Sequence, residues 1–233
     1  MKKFVLIVAG GLGIRMKADI PKQFLLLAGE PILMHTIRAF FQATPDITAV
    51  VVLPFNQTDH WRKLCEDYSF TYPHRITRGG KTRFQSVKNG LAMIRDEGLI
   101  AVHDGIRPLV DNQLIINAFE VAEKQGNAIP SIGVSSSVRI ISGHTNRPAD
   151  RKQFGLIQTP QVFHSSILQN AYRQVDREEF TDDATVVEAS GHRIHLIEGD
   201  PSNIKITTAI DLQLAEVFLR KNANQGLGYL DNK

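Results

Sequence analysis

Two stretches of the chain concentrate the residue types that handle phosphate. The first is Ala9-Gly-Gly-Leu-Gly-Ile-Arg-Met16, followed by Pro21-Lys-Gln-Phe24. Glycines directly after an apolar run let backbone N–H groups approach a phosphate or a base closely. Arg15, Lys17 and Lys22 follow within a few residues. A tight turn explains the glycines alone, and a solvated loop explains any single cation. Together they suit the clamping of a polyphosphate, because preplaced Arg and Lys stabilise the charge that grows on a transferring phosphoryl group. Neither common nucleotide loop fits. A dinucleotide fingerprint needs a third Gly where Met16 stands, and a P-loop needs Gly-Lys-Ser/Thr, which does not occur. The second stretch is Val102-His-Asp-Gly-Ile-Arg-Pro108, at the carboxyl end of an apolar strand, where ligands of open α/β sheets sit. Asp104 can hold a metal or its waters there, and Arg107 can take a phosphate in a fork. Equally, Asp104 can cap the following turn with Arg107 as its ion-pair partner.

Other chemistries find no support. There is no Gly-x-Ser-x-Gly elbow, and the 8 histidines are scattered. His192 and His195 lie an odd number apart and would face opposite sides of a strand. The single cysteine, Cys65, excludes an internal disulfide framework and a thiolate-rich zinc site. A formal charge of +3, with acids and bases interspersed, forces no nucleic-acid groove and leaves an anionic small molecule open. No apolar run reaches the ~18 to 20 residues of a membrane span. The start, Met1 to Ala9, is too short and too soon followed by glycines and cations for a secretory signal, so a buried first strand and a cytoplasmic protein are expected.

These residues need a scaffold, and the apolar pattern supplies one. In 233 residues, 42% hydrophobic, strand-length apolar runs alternate with helical periodicity. Phe4–Ala9, Ile47–Leu53, Leu99–His103, Ala128–Ile132 and His192–Ile197 read as strands. Pro31–Phe41, Thr58–Asp67, Thr82–Arg95, Asn112–Lys124, Ser165–Arg173, Asp182–Ala189 and Ala209–Lys221 read as helices. A βαβ alternation of this kind predicts an α/β fold: a mostly parallel sheet with helices on both faces. Residues from about 133 to 161 break the pattern and read as two extended strands around a turn. This is an inserted β-arm of the sort that makes oligomer contacts, or a plain surface excursion. One domain over residues 1–222 and a frayed Asn- and Gly-rich tail over 223–233 are expected.

The motifs quoted above, with Gly29-Glu-Pro-Ile-Leu33, Gln158-Thr-Pro-Gln161, Thr181-Asp-Asp-Ala184 and Asn203-Ile-Lys-Ile-Thr207, together resemble the 2-C-methyl-D-erythritol 4-phosphate cytidylyltransferase family of isoprenoid biosynthesis. The resemblance runs in order from Lys3 to about Leu219. It implies a Rossmann-like nucleotidyltransferase fold, a homodimer built by the β-arm, and transfer of a cytidylyl group from CTP to a polyol phosphate with a divalent metal, Mg2+. It further implies that Arg15 and Lys22 steady the transition state while Arg151 and Lys205 grip the polyol phosphate. Ala9, Gly10, Gly11, Gly80, Lys81, Ser86 and Gly105 would line the cytidine pocket, with Asp104 near metal and ribose-phosphate. Arg107, Ser137 and Thr159 would touch the polyol. The family usually has Asp-Thr where Ser136-Ser137 stand; Ser137 keeps a hydroxyl. Ribitol 5-phosphate cytidylyltransferase shares the Gly-rich loop and Pro-Lys-Gln, although Thr181 to Glu188 looks more like the isoprenoid enzyme. An idle nucleotide-binding homologue would have lost charge at the transfer centre, yet Arg15, Lys22, Asp104, Arg151 and Lys205 are all present.

Overall fold

The computed structural model describes residues 1–10 and 20–227, with side chains described as far as residue 220. The central strand is β1 (Lys3–Val8), whose apolar run is continuous because both of its faces are covered. After it come the short pair β2 (Leu26–Leu27) and β3 (Glu30–Pro31), α1 (Ile32–Ala43) and β4 (Thr48–Leu53). Next are α2 (Thr58–Asp67), β5 (His74–Arg78), α3 (Arg83–Leu91), β6 (Leu99–Asp104), α4 (Asn112–Gln125) and β7 (Asn127–Gly133). The second half holds β8 (Val138–Ser142), β9 (Thr145–Ala149), β10 (Gly155–Ile157), β11 (Gln161–His164), α5 (Ser165–Ala171), α6 (Asp183–Ala189), β12 (Leu196–Glu198) and α7 (Ala209–Leu227).

The main sheet runs β10–β7–β11–β6–β1–β4–β5, with β12 also paired to β7. Its β6–β1–β4–β5 half is parallel, so Leu6 lies between Val50 and Val102. Alternate residues of β1 feed opposite cores. Val5 and Ile7 pack with Ile37 and Phe40 of α1 and Ile115 and Phe119 of α4. Phe4 and Leu6 pack with Phe84 and Val87 of α3, Leu168 of α5 and Val187 of α6. The α/β fold with helices on both faces follows from that alternation. A third, smaller cluster seats α7 through Ala215 on Leu27, Ile32 and Ile206.

Three helix starts carry their own side-chain caps. Thr82 accepts from Gln85 N–H, Asp111 from Gln113 N–H and Asp182 from Thr185 N–H. Gly126, at φ +87°, closes α4 in the left-handed conformation that glycine adopts without steric cost.

Several elements depart from the apolar pattern. β5 is His-Arg-Ile-Thr-Arg on the sheet edge, with one apolar residue and no periodicity to announce it. β11 is four residues long, runs antiparallel between β7 and β6, and passes straight into α5, so its two apolar residues merge with the helical pattern. α3 stops at Leu91 rather than Arg95. Three-residue bonds from Met93 N to Gly90 O and Ile94 N to Leu91 O tighten the chain, while Ile94 stays buried. The arm is a hairpin of β8 and β9 turning at Gly143, whereas β10 returns to the main sheet against β7. β12 begins only at Leu196, so His192 and His195 lie before it. α7 continues to Leu227, past Asn222.

Candidate functional site

Three loops leave the carboxyl ends of β1, β4–β5 and β6, and each extends the ladder before turning away. Ala9 N–H donates to Val52 O at 2.9 Å, Gly79 N–H to Leu53 O at 2.7 Å and Gly105 N–H to Val8 O at 2.9 Å. The approach is close enough to need missing side chains. A Cβ on Gly105 would stand 2.8 Å from that of Ala9, and one on Gly10 would stand 3.2 Å from Ser86 Oγ. Ser86 Oγ donates to Thr82 O and accepts Gly80 N–H, and Lys81 N–H donates to Gln85 Oε1. Ala9, Gly10, Gly80, Lys81, Ser86 and Gly105 are thus gathered over the strand ends. Gly11 and Arg15 lie outside the described residues.

At the end of β6 stands Asp104, its side chain 11% exposed. Its Oδ2 meets Lys205 Nζ at 3.1 Å and Arg107 Nε at 3.2 Å. Burial disfavours the ionised carboxyl, but the charges of Lys205, Arg83 and Arg107 outweigh it and hold Asp104 well below the usual carboxylate range. Arg107 also donates to Asn203 O at 2.7 Å, so its fork braces this turn. Asn203 in turn gives its amide to Thr159 O at 2.8 Å. Gln158 and Asp200 exchange two further bonds. The Gln158–Gln161 and Asn203–Thr207 motifs are therefore stitched together, and the stitch aims Lys205 at Asp104. Lys22 is buried, and its Nζ donates to Thr207 O at 2.6 Å, while Gln23 Nε2 reaches Ala9 O at 2.9 Å. The Pro-Lys-Gln motif is thereby tied to both the Gly-rich loop and the Lys205 segment.

His103 is fully enclosed beneath this turn, and burial pushes its ring down to about 4, leaving it neutral at neutral pH. Carbonyls only accept, so the 3.1 Å contact with Arg107 O puts the proton on Nε2. Nδ1 then accepts from the Thr159 hydroxyl at 3.1 Å, and that oxygen accepts Asp104 N–H at 3.1 Å. The hydroxyl proton of Thr159 is committed inside the protein, so toward a ligand Thr159 presents only a lone pair. Ser137 and Arg151 stand exposed around the arm. Among the described residues, no hydrogen bond or ion pair joins them to the Asp104 cluster; Arg151 donates to Ser135 O instead.

Two residues of consequence were given no role by the sequence: Arg83 lies outside every quoted motif, and Asp183 lies inside Thr181-Asp-Asp-Ala184 without one. Arg83 forms a two-bond ion pair with Asp183 and adds its charge to the surroundings of Asp104. Asp183 receives that pair, whereas Asp182 alone is the N-cap. The hints were Arg83 close behind Gly80-Lys81 and the doubled acid at 182 and 183. His103, Gln158 and Asn203 sit inside quoted motifs, but their work is internal bracing, which side-chain chemistry alone does not announce.

No group of three or more His, Cys, Asp or Glu among the described residues is arranged to hold a metal. One carboxylate among cations suits a magnesium ion only where substrate phosphates and waters supply the other ligands, as Mg2+ commonly requires. Two clefts, one bordered by Phe55, Asp59, Arg62 and Arg78 and the other by Ile157, Glu188 and Leu196, include none of the residues of the Asp104 cluster. No helix among the described residues is long and apolar enough to cross a membrane.

Comparison with known proteins gives one consistent result. The sequence model of the 2-C-methyl-D-erythritol 4-phosphate cytidylyltransferase (IspD) family matches residues 3–221. The protein of that name from Azobacteroides pseudotrichonymphae is 51% identical over 219 residues, covering 94% of this chain and 99% of that one. The crystal structure of the Thermus thermophilus protein of the same name superposes with a TM-score of 0.77 at 31% identity, over 94% of this chain and 100% of the other. An Anaerococcus prevotii structure, 4-diphosphocytidyl-2C-methyl-D-erythritol synthase, shares the fold at a TM-score of 0.81 and 24% identity, covering 94% and 96% of the two chains.

Proposed function

The chain belongs to the 2-C-methyl-D-erythritol 4-phosphate cytidylyltransferase family and joins that polyol phosphate to CTP in isoprenoid biosynthesis, and we propose that the cluster over the strand ends is where the transfer occurs. The observation that carries this assignment is the convergence of Lys22, Lys205, Arg107 and Asp104 beside the gathered glycines. The nucleophile is a phosphate oxygen of the polyol phosphate, already ionised at neutral pH, so no general base is needed. That oxygen forms a bond to the α-phosphorus of CTP as the bond to the β-phosphate oxygen breaks, and the electron pair leaves with pyrophosphate. The difficulty is electrostatic: two anions must meet, and charge must be steadied on a crowded phosphorus.

Lys22 and Arg15 face the α-phosphate in this reading. Lys205 takes the polyol phosphate, held in place by Asp104, which stays ionised through the working pH range. The glycines at 10, 11, 80 and 105, with Ala9, Lys81 and Ser86, receive the cytidine. Arg107 and Thr159 brace the wall that the polyol meets. A magnesium ion held by triphosphate oxygens, with Asp104 reached through water, would neutralise phosphate charge there. Ser137 and Arg151 complete the polyol site from a second copy of the chain in this reading, which the arm's exposure supports: among the described strands β8 and β9 pair only with each other. Ile141 is 77% exposed near the hairpin turn, and Phe154, Leu156 and Ile157 are exposed where the chain returns to β7. A homodimer in the cytoplasm, where CTP is supplied, is the state this reading expects.

Pyrophosphate release with CTP and magnesium tests the reading when methylerythritol 4-phosphate and ribitol 5-phosphate are offered separately. Faster release with the methylerythritol substrate is expected. Faster release with ribitol 5-phosphate would reassign the polyol, and release with neither would remove the assignment.

A further inference from the structure

Within the segment Gly79–Lys81, Gly79 N–H bonds to Leu53 O at the end of β4, and the next two N–H groups are held by α3. Gly80 N–H and Lys81 N–H bond to Ser86 Oγ and Gln85 Oε1 of that helix, each at 3.0 Å. A Cβ on Gly80 would stand 2.3 Å from Gln85 Cβ, so the segment rides on the helix without slack. Where the first turn of α3 stands therefore decides where these backbone groups stand.

That first turn is anchored from outside the strand ends. Arg83 NH1 and NH2 donate to Asp183 Oδ1 and Oδ2 at 3.0 and 2.5 Å. Asp183 is fully buried and takes a third bond from the Tyr172 hydroxyl at 2.6 Å. The ring of Phe84 stacks on Tyr172 with centroids 4.7 Å apart, and Thr82 Oγ1 donates to Asp176 at 2.6 Å. Residues 82, 83 and 84 each clasp a different group between positions 172 and 183. The two-bond fork fixes the direction of the guanidinium as well as its distance, a geometry that a lysine ammonium lacks. A buried carboxylate with three donors also has no alternative partner to drift toward.

We propose that Arg83, Asp183 and Tyr172 form a positioning device for the nucleotide: they set the first turn of α3, and with it the Gly79–Lys81 segment, so that CTP binding depends on them while the transfer step does not. This rests on the reading that the segment receives CTP. Asp183→Asn keeps shape and the Tyr172 bond but removes the charge that grips Arg83.

Calorimetric titration of the intact protein with CTP and magnesium, without polyol, is the direct test, followed by kinetics on the same variants. Asp183→Asn and Arg83→Lys should each weaken CTP binding about tenfold or more. KM for CTP should rise in parallel, while kcat at saturating CTP and KM for the polyol phosphate stay within about twofold. Tyr172→Phe, which keeps the ring stack and the ion pair, should weaken CTP binding about threefold and serves if Asp183→Asn fails to fold. Unchanged CTP binding in the folded variants, or an equal rise in both KM values, would overturn the proposal while leaving the site assignment intact. A wild-type protein that takes up no CTP would overturn both together.

Discussion

The strand-end cluster and the β-arm carry similar side chains in opposite circumstances. Asp104 is nearly enclosed, and the charges near it have partners within the chain: Lys205 and Arg107 on its carboxylate, Arg83 on Asp183. On the arm, Arg139, Arg147, Lys152 and Ile141 are exposed, and among the described strands β8 and β9 pair only with each other. A buried charge must be compensated where it stands, so the cluster is preorganised before any ligand arrives. On the exposed hairpin, where charges stand in water and Ile141 is left uncovered, no such compensation is required, and the proposed function gives that surface to a second copy of the chain. Under the proposed function, the contrast separates groups fixed in advance at the strand ends from groups that a second copy would bring to them.

Breaking the cluster should cost most. Lys205→Met removes the cation on Asp104 that also faces the incoming phosphate, and kcat/KM is expected to fall about 10²- to 10³-fold. Steady-state kinetics against a folding check by circular dichroism would measure it. A loss below threefold would place Lys205 outside the centre.

Breaking both regions in separate chains sharpens the comparison. Lys22→Ala and Arg151→Ala should each be nearly inactive alone. If the arm acts in trans, mixing them after reversible dissociation should restore about a quarter of the sites, since half of the dimers then hold one intact site. No recovery would mean that Arg151 serves its own chain.

The enclosed character of the cluster also predicts an acid response. The ring of His103 is held neutral with its titration lowered to about 4, so the unfolded chain binds a proton more readily than the folded one below the ordinary value. The sign makes stability fall as pH drops from about 6.5 toward 4. Between pH 7.5 and 5 the loss from this one residue is about 2 kcal/mol. His35 and His74, both lowered chiefly by burial, add in the same direction. Urea unfolding at the two pH values checks it, and His103→Gln should flatten the slope.

The smallest effect belongs to the arm. Ile141→Ser should leave the unfolding free energy of an isolated chain within about 0.5 kcal/mol, because that side chain contributes little burial within one chain. It should instead weaken self-association, measured by sedimentation. An unchanged sedimentation profile would detach Ile141 from any interface.

Much of this division was legible in the residue order. Strands and helices with continuous or 3.6-residue apolar patterns, such as β1 and α4, are specified by their own burial. β5 was not, because a polar edge strand is fixed by pairing with β4 rather than by its own side chains. β11 was not, because two apolar residues running into α5 have no period. Among site residues, glycines and cations stood out, since phosphate chemistry demands those types. Arg83 and Asp183 did not, because 100 positions separate them and a cation reads as solvated until its partner is seen. His103 lay in plain view, but its neutrality comes from enclosure, which no local motif encodes.

A crystal structure of the protein with CTP and magnesium tests the central claim most directly. The cytidine should lie against the glycines at 10, 80 and 105, with the α-phosphate within hydrogen-bond reach of Lys22 and Lys205 lining the space beside it. A nucleotide seated elsewhere, for instance in the cleft bordered by Phe55 and Arg78, with Lys22 and Lys205 far from its phosphates, would contradict the account.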